Sequence, residues 1–564
     1  MHPDQADTAA MQQQTTTECS DRSRPEKAEE GHAREHTVTR TCSREPEQTA
    51  TATKPTGLKL ICLTTAICLT IFLISVDFSI LATAIPAITA EFKSVADIGW
   101  YGSSYLLTTA SSQLLLGKCY TVFDLKWTFL LALLTFEVGS IICATAPSSV
   151  VLIIGRAIAG CGNAGLLSGA LLILTHSVPL EKRPLFMAMT GGTYGVAAIA
   201  GPPLGGVFTD KLSWRWCFWI NLPIGALTFL VIVFLFKSPP RSGFDGSRSW
   251  LAKVMRFDPV GTLMFMPAII CVLLALQWGG TTHAWNSGIV VALLVVGGVL
   301  VIAFGIVQWL MHDDATIPLR IIKKRTIWAC AAYQFALGAA FFVFIYFLPI
   351  WFQGVQGASA IQSGVRTLPM LVGNIVATAV SGVLVTIIGY YAPFMILGTI
   401  LASVGAGLLL LFTPNVTAAS WIGYQAIVGL GIGFGWQQPF VAVQTVLDIK
   451  DVPIATATLS FAQTLGGTLF VSVAQTAFST KLTQELVSQV PQLDPASILH
   501  EGGAAELDKL VPEQYLPDVV LSYNNSLLSA FFVATIMAIM SLVGCTFVEW
   551  NSVKGKKADA VPAA

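Results

Sequence analysis

The sequence predicts an all-α polytopic membrane protein, built from two six-helix bundles and two extra central spans. Of its 564 residues, 54% are hydrophobic and only 11% are charged, and the mean hydropathy is +0.69. A soluble domain carries about 25% charged residues. Fourteen apolar runs are long enough to be transmembrane helices at about 20 residues each, and an even count with both ends inside divides as six, two and six.

The predicted spans follow one another from residue 58 to residue 548. Their approximate bounds are 58–84, 98–117, 127–146, 150–174, 185–207, 217–237, 258–277, 287–310, 327–350, 364–388, 392–412, 421–446, 455–478 and 526–548. We expect a disordered cytoplasmic tail at 1–56, since this segment is nearly free of large apolar residues. The other expected units are an N-terminal bundle at 57–237, a basic linker with the two inserted spans at 238–326, a C-terminal bundle at 327–550 that includes an outer loop at 479–525, and a cytoplasmic tail at 551–564.

Basic residues in the loops set the predicted orientation. With the N-terminus inside, the inner loops and the C-terminal tail carry seventeen Lys and Arg residues, and the outer loops carry five. The five are Lys93, Lys211, Arg215, Lys481 and Lys509. Both Asn-x-Ser/Thr sequons, at Asn415 and Asn524, then face outward as candidate glycosylation sites.

Three charged residues stand out in the interior of predicted spans, where a charge is costly and usually functional. Asp77 lies in the first span, Glu137 in the third and Arg156 in the fourth. From the helical rise of 1.5 Å, Asp77 and Arg156 both lie roughly 10 Å below the outer surface, and Glu137 lies near the midplane. A carboxylate in a dry cleft can bind and release a proton as the cleft changes sides, so these residues are the candidates for proton coupling. The alternative is a fixed, buried salt bridge.

The fifth predicted span is rich in glycine. Between Gly191 and Gly206 it has the sequence Gly-Gly-Thr-Tyr-Gly-Val-Ala-Ala-Ile-Ala-Gly-Pro-Pro-Leu-Gly-Gly. Each glycine costs an isolated helix roughly 1 kcal/mol relative to alanine, but in a membrane such a face lets a neighbouring helix approach closely. We expect either a static contact or a seam against the partner bundle that opens and closes. The seam residues are Gly191, Gly195, Gly201, Pro202, Gly205 and Gly206.

Several motifs occur in a fixed order along the apolar region. They are Asp77-Phe-Ser-Ile-Leu-Ala-Thr-Ala-Ile-Pro86, Trp100-Tyr-Gly-Ser-Ser-Tyr-Leu-Leu107, Gly155-Arg156-Ala-Ile-Ala-Gly160-Cys-Gly162, the Gly201-Pro-Pro-Leu-Gly-Gly206 core and Trp214-Arg-Trp-Cys-Phe-Trp-Ile-Asn221-Leu-Pro223-Ile-Gly225. Together they resemble the fourteen-span drug:proton antiporters of the major facilitator superfamily, and in particular fungal toxin and multidrug efflux pumps. The resemblance implies two bundles that rock around a central cavity. It also implies a role for Arg156 in proton transfer, and export of small amphipathic compounds such as a secondary metabolite, a mycotoxin or a drug.

The loop after the second span departs from the pattern of that superfamily, which is Gly-x-x-x-Asp-x-x-Gly-Arg. It has the sequence Gly117-Lys-Cys-Tyr-Thr121-Val-Phe-Asp124-Leu-Lys126, with threonine at the usual aspartate position. In the superfamily, the aspartate of this loop takes part in a relay of charged groups at the cytoplasmic gate. That relay is therefore not expected here in its usual form. Asp124 and Lys126 are the candidate substitutes, and a plain cytoplasmic turn is the alternative.

Polar and aromatic residues in the apolar spans are the candidates for the wall of a cargo cavity. They are Gln113, Asn374, Trp436, Gln437 and Gln463. Polar residues of this kind also form hydrogen bonds between helices, which is the structural alternative for them.

The remaining expectations concern chemistry and partners. The sequence has no nucleotide-binding loop, no nucleophile–base pair and no cluster at metal-ligand spacing, so we expect no enzyme, no cofactor and no metal. The expected partners are a small-molecule substrate, protons and the lipid bilayer, with no nucleic acid, and the chain is expected to be a monomer in the plasma membrane or, alternatively, the vacuolar membrane. The alternatives in function are a vacuolar, siderophore or basic amino acid transporter of the same fold, and a non-transporting membrane sensor.

Overall fold

The computed structural model describes residues 57–93, 97–238, 258–279, 283–312, 315–491 and 511–554. These residues are mostly helical. The expected tail at 1–56 and residues 555–564 of the expected C-terminal tail lie outside the described residues, as does most of the basic linker before the inserted spans.

Fourteen long helices follow one another in the described part of the chain, one at each predicted span. They are α1 (Leu58–Phe92), α2 (Ile98–Val122), α3 (Leu125–Ala144), α4 (Ser149–Ser177), α5 (Arg183–Lys211), α6 (Asn221–Leu235), α7 (Pro259–Trp278), α8 (Gly288–Met311), α9 (Arg325–Gly354), α10 (Leu368–Ile388), α11 (Ala392–Leu409), α12 (Ala418–Trp436), α13 (Val452–Gln489) and α14 (Leu516–Phe547). Shorter helices lie at Leu180–Lys182, Trp216–Trp219, Leu319–Ile322, Ala360–Arg366 and Gln438–Val446.

Twelve helical segments in the described residues are long and apolar enough to cross a membrane. α2 and α5 are not among these twelve, although they contain 25 and 29 residues. Both helices are rich in Ser, Thr or Gly, which lowers their hydropathy. The all-α polytopic architecture is therefore present, while the count of fourteen membrane spans stays a prediction.

The helices pack as two groups of six, with α7 and α8 beside them. In the first group α1 packs on α5 and α6, and α4 packs on α2 and α3. In the second group α9 packs on α13 and α14, and α12 packs on α10 and α11. The two groups meet where α5 packs on α10 and where α2 packs on α13. The inserted helix α7 packs on α8, α2 and α13, so it covers the second of these junctions.

The two groups touch closely at the end that carries the basic loops. A Cβ atom at Gly117 of α2 would overlap Ala457 of α13. A Cβ atom at Gly382 of α10 would overlap Ala188 of α5 and would lie 2.7 Å from the carbonyl oxygen of Pro184. Glycine allows helices to approach this closely because it has no side chain. Both junctions are therefore closed at the predicted cytoplasmic end.

A buried carboxylate fastens the inserted pair to its surroundings. Asp258 precedes α7, and its Oδ2 accepts hydrogen bonds from Gln308 Nε2 at 2.6 Å and from Thr316 Oγ1 at 2.9 Å. Beside this point, Lys118 Nζ of α2 donates to the carbonyl oxygen of Ala315 at 2.7 Å. These bonds tie α7, α8, α2 and the segment before α9 together at the predicted cytoplasmic end.

Several helices extend beyond their predicted bounds, and the last two, α13 and α14, extend furthest. α13 spans 38 residues and ends at Gln489, and α14 begins at Leu516. At 1.5 Å per residue, α13 is about 57 Å long, which is nearly twice the thickness of the hydrocarbon core. Its polar end stays helical, and Lys481 Nζ lies 3.0 Å from Glu485 Oε1 one turn later. The expected outer loop at 479–525 is thus helical at both ends, and residues 492–510 lie outside the described residues.

The two candidate glycosylation sites differ in exposure. Asn415 is exposed in the turn between α11 and α12. Asn524 is only 2% exposed, its Oδ1 accepts from Trp351 Nε1 at 2.9 Å, and its Nδ2 donates to the carbonyl oxygen of Phe412 at 3.3 Å. A glycan on Asn524 would break both bonds and push apart packed helices, so the structure contradicts Asn524 as an acceptor. Asn415 remains the predicted site.

In a eukaryotic host, we expect enzymatic deglycosylation to shift the electrophoretic mobility of the wild type and of Asn524→Gln equally. The shift should be absent in Asn415→Gln, because only Asn415 is reachable by the modifying enzyme. A shift that persists in Asn415→Gln would contradict the assignment. A wild type without any shift would contradict the outward placement of Asn415.

Candidate functional site

A buried ion pair joins α1 to α4. Arg156 Nη1 donates to Asp77 Oδ2 at 2.5 Å, and both side chains are fully buried. Arg156 Nε also donates to the carbonyl oxygen of Tyr101 at 3.0 Å. The contact expected from the similar depth of the two residues is therefore present. Because both charges are removed from water, each depends on the other for compensation.

The second oxygen of Asp77 is bound from α6. Asn221 Nδ2 donates to Asp77 Oδ1 at 2.9 Å and to Ser140 Oγ of α3 at 3.1 Å. The Asn221 Oδ1 atom is buried and has no hydrogen-bond partner among the described residues. The carboxylate of Asp77 is thus held from two sides, by a charged group and by a neutral amide.

A tyrosine ring connects the ion pair with an internal cavity. The Tyr105 ring centroid lies 4.3 Å from Arg156 Cζ. Such a cation–π contact contributes about 2 kcal/mol when it is desolvated. The same residue lines the cavity, and its hydroxyl is buried without a hydrogen-bond partner among the described residues. A molecule in the cavity would therefore contact the side chain that covers the guanidinium.

The cavity lies between the two helix groups and has a volume of about 100 Å³. Aromatic, aliphatic, threonine and amide side chains form its wall, and no charged side chain is among the described residues that line it. The aromatic residues include Phe78, Phe342, Trp436 and Phe440, and the amides are Asn163, Gln437 and Gln463. Pockets for drug-sized ligands typically measure about 300–1,000 Å³. The cavity must therefore expand before it can hold a molecule of that size.

Three of the five predicted cavity residues line this cavity, namely Trp436, Gln437 and Gln463. The other two are not among the described residues that line it. Gln113 Nε2 donates to Ser168 Oγ of α4 at 3.1 Å, and Asn374 Oδ1 accepts from Thr378 Oγ1 of its own helix at 3.3 Å. Gln113 therefore forms a hydrogen bond between helices, which is the structural alternative stated for it. Asn374 forms its hydrogen bond within its own helix, α10.

Sequence reasoning did not single out Asn163, Asn221 or Tyr105. Asn163 lines the cavity, and its Nδ2 donates to Thr109 Oγ1 at 3.3 Å. Each of the three lies in or next to a motif that was interpreted as a family marker. The two asparagines could have been found from the sequence, because each is an amide inside an apolar span. Nothing in the sequence distinguishes Tyr105 from other tyrosines in apolar spans.

Glu137 makes no direct contact with the ion pair. Both of its carboxylate oxygens are buried and have no hydrogen-bond partner among the described residues. The carboxyl group lies against α6, where a Cβ atom at Gly225 would overlap Oε1 and would lie 2.6 Å from the carboxyl carbon. Glu137 is therefore a second buried carboxyl group beside the same helix that binds Asp77.

The first half of the glycine-rich stretch faces the other helix group. A Cβ atom at Gly191 would lie 2.8 Å from Thr378 Cγ2 of α10 and 2.8 Å from Gln437 Nε2. A Cβ atom at Gly195 would overlap Ile375 of α10. These two glycines therefore form part of the contact between the groups.

The second half of the stretch faces α1, within its own group. A Cβ atom at Gly201 would overlap Ser79, and one at Gly205 would overlap Thr83. Pro202 lies inside the helix and is partly exposed, and nothing lies within 4 Å of a Cβ atom at Gly206. The expectation that the whole stretch faces the partner bundle is therefore wrong for Gly201 and Gly205. Each lies ten residues after its counterpart in the first half, so the two pairs point in directions about 80° apart around the axis of α5.

The loop between α2 and α3 is a capped turn within the first group. Asp124 Oδ1 accepts from the backbone nitrogen of Lys126 at 3.0 Å and from Ser238 Oγ at 2.8 Å. Lys126 Nζ donates to the carbonyl oxygen of Val233 at 2.6 Å. Asp124 and Lys126 therefore bind the end of α6 and its exit. These contacts lie within the first helix group. They fit the alternative of a plain cytoplasmic turn better than a relay of charges to the second group.

Two groups of six helices around a central cavity, with buried charges beside it, are the architecture of a two-bundle membrane transporter. The chain belongs to the Major Facilitator Superfamily, whose family model matches residues 67–471.

Similar proteins agree with this assignment. The MFS-type efflux pump MFS1 of Trichophyton rubrum is 50% identical over 92% of this chain and 96% of its own. The efflux pump aflT of Aspergillus parasiticus is 47% identical over 88% of this chain and 97% of its own. The solved structure of the proton:xylose symporter XylE bound to 6-bromo-6-deoxy-D-glucose has the same fold, with a TM-score of 0.56 at 14% identity, over 88% of this chain and 97% of that chain.

Removal of one partner of the ion pair should be strongly destabilising. We expect Asp77→Ala to lower the free energy of unfolding by about 3–5 kcal/mol, because Arg156 is then buried without its counter-charge. The double variant with Arg156→Leu should lose much less than the sum of the two single variants. Thermal unfolding of the detergent-purified full chain measures both effects, and additive losses would show that the pair is not a unit.

Proposed function

We propose that the protein is a proton-coupled efflux transporter that exports small amphipathic compounds, such as a secondary metabolite, a mycotoxin or a drug. The observation that carries this proposal is the position of Tyr105 between the cavity and Arg156. Cargo in the cavity would contact Tyr105, and the guanidinium that pairs with the proposed proton-binding carboxyl group of Asp77 lies over the ring of the same residue. Such a shared contact is what an exchange of cargo for proton requires.

Proton binding to Asp77 is the proposed driving event. A proton on this carboxyl group cancels the charge that compensates Arg156, and the guanidinium is left unpaired in a dry interior. α1 and α4 then relieve the cost by rearranging, and Arg156 assists the proton transfer. Glu137 is the second proposed proton acceptor. Protonation from the outer side favours one state of the transporter, and cargo from the inner side competes with it.

The size and closure of the cavity support alternating access as the mechanism. The cavity is too small for a drug-sized molecule, and both junctions between the helix groups are closed at the basic end. Loading from the cytoplasm or the inner leaflet then requires α5 to separate from α10, and α2 to separate from α13. The contact at Gly191 and Gly195 suits such a separation, because the α5 side of it carries no side chains that would have to disengage from α10.

The wall of the cavity supports a neutral or weakly charged amphipathic cargo. Its rings offer an adaptable apolar surface, and Asn163, Gln437 and Gln463 offer hydrogen bonds. A basic amino acid would need a carboxylate, and no charged side chain is among the described residues of the wall. The names of the similar proteins, which are efflux pumps, support the outward direction of transport.

The remaining assignments belong to the same proposal. The units at 57–237 and 327–550 are the rocking bundles, and the pair within 238–326 is an insertion. The chain acts as a monomer in the plasma membrane, with the vacuolar membrane as the alternative, and its partners are cargo, protons and lipid. Asn415 lies on the outer side.

Metabolite profiles of the native host with and without the gene test the proposal. We expect deletion to raise one amphipathic compound inside the cells and to lower it in the medium, as measured by mass spectrometry. Complementation with Asp77→Asn should not restore export, whereas the wild type should. Unchanged profiles under producing conditions, with the protein present in the control strain, would contradict export of a native metabolite.

The seam between the groups has its own test. Gly191→Leu should reduce flux at least tenfold at normal surface expression, because the added side chain would collide with α10 when the seam closes. Gly206→Leu is the matched control, since a Cβ atom there meets open space, and it should retain flux. Equal flux in the two variants would show that Gly191 is not part of a moving contact.

A further inference from the structure

A short segment between α8 and α9, residues 315–322, lies at the predicted cytoplasmic end, and we call it the strap. Its last four residues, Leu319–Ile322, form one helical turn. Connections between helices usually run over the surface of a protein. In the strap, however, Ala315, Thr316 and Ile321 are at most 2% exposed. The strap is therefore held by specific contacts with its surroundings.

The start of the strap is bound to the first helix group. Lys118 Nζ of α2 donates to the carbonyl oxygen of Ala315 at 2.7 Å, and Lys118 is only 5% exposed. A buried ammonium group needs hydrogen-bond partners, because it has lost its hydration shell. Lys118 follows Gly117, the residue at which α2 touches Ala457 of α13. The bond to the strap is therefore made beside the tight contact between the two groups.

The end of the strap is bound to the second helix group. Arg320 Nη1 donates to Asp451 Oδ2 at 2.6 Å, and Arg320 Nη2 donates to Asp451 Oδ1 at 2.8 Å. Two parallel bonds of this kind fix the orientation of the partners as well as their distance. Asp451 directly precedes α13 and is only 4% exposed, and the chain continues from the strap into α9 of the same group. The strap therefore belongs to the second group.

The inserted helices hold the strap between its two attachments. Asp258 Oδ2, before α7, accepts from the backbone nitrogen of Thr316 at 3.0 Å and from its Oγ1 at 2.9 Å. Gln308 Oε1 of α8 accepts from the backbone nitrogen of Ile317 at 2.9 Å, and the Ile317 side chain packs on an apolar cluster of α2 and α7. The backbone next to the first attachment is thereby fixed in place.

The strap lies beside the loop that departs from the superfamily pattern. Thr121 stands where that pattern has aspartate, and Asp124 and Lys126 bind within the first group. Lys118 belongs to the same motif, and it binds the strap. At this gate, one connection between the two helix groups thus runs through a segment that the inserted pair holds in position.

We propose that the strap is a latch that keeps the cytoplasmic end closed, with Lys118 and Asp451 as its two points of attachment. Opening towards the cytoplasm separates α2 from α13, and a strap that is attached to both must release one of them. The two attachments act in series, so the loss of either one frees the latch. This inference rests on the alternating access proposed above, and it gives the two inserted helices the role of positioning the strap.

Hydrogen–deuterium exchange of the full chain in lipid nanodiscs, without cargo, measures how often the cytoplasmic end opens. In Lys118→Met, we expect backbone amides at the cytoplasmic ends of α5 and α10 to exchange about tenfold faster than in the wild type, as expected for the loss of one hydrogen bond to a charged group. These ends form the other junction, where Gly382 meets Ala188. Their exchange therefore reports separation of the two groups, rather than local loosening at the strap.

The arrangement in series has a signature of its own. Arg320→Gln should accelerate exchange at the same helix ends by a similar factor. The double variant Lys118→Met/Arg320→Gln should exchange less than about twofold faster than the faster single variant, whereas independent contacts would multiply to about a hundredfold. Lys118 and Arg320 bind different residues, so a double effect far below this product would show that the strap joins them.

Lys126→Met is the matched control. Lys126 Nζ also donates to a backbone carbonyl oxygen, that of Val233 at 2.6 Å, but both residues belong to the first group. This variant should leave exchange at α5 and α10 unchanged. Size-exclusion chromatography and thermal unfolding identify any variant that does not fold. Thr316→Val then replaces it, since it removes one bond to Asp258 at nearly constant shape and should accelerate exchange at the same helix ends.

The outcomes separate the latch from the proposed function. If Lys118→Met accelerates exchange only in α2 and the strap, or nowhere, the latch is refuted and the bonds serve packing alone. Multiplied effects in the double variant would refute the arrangement in series. Accelerated exchange at α5 and α10 with the signature of a series, in a protein that exports no compound, would support the latch while the proposed export function fails.

Discussion

The attraction between Asp77 and Arg156 is the constraint on which the first six helices depend. Neither charge can be lost alone, because an unpaired charge in a dry interior costs several kcal/mol. The pair holds α1 and α4 at one depth, and α2 and α6 contribute the groups that surround it. A change of charge at Asp77 therefore affects groups on four helices at once.

Along its length, α5 makes close contacts with two different helices, α1 and α10. Gly201 and Gly205 seat the outer part of the helix on α1, next to the residues that follow Asp77. Gly191 and Gly195 bring the inner part against α10 of the other group. One helix thus packs at one end on α1, close to the ion pair in sequence, and at the other end on the partner group. In the proposed mechanism, α5 is the element that connects the surroundings of the charges with the junction between the groups.

The sequence predicts the position of every long helix and the partners of the ion pair, because hydropathy and helical rise determine depth in a bilayer. It does not predict where α13 ends or where α14 begins, since hydropathy indicates only the apolar part of a helix and both helices continue into polar sequence. The sequence also does not predict which side of α5 faces which neighbour. Gly201 and Gly205 were therefore assigned to the partner bundle, although they contact α1. The burial of Asn524 arises from Trp351 and Phe412, which are more than 100 residues away in sequence. Such distant contacts leave no local pattern.

The inserted helix α7 makes the molecule unequal on its two flanks. It covers the junction of α2 and α13 and is anchored by Asp258, whereas the junction of α5 and α10 has no comparable neighbour among the described helices. A membrane-dissolved compound that approaches the junction of α2 and α13 would therefore contact α7 first. On the opposite flank, no described helix covers the junction of α5 and α10 in this way, so the two junctions differ in what surrounds them.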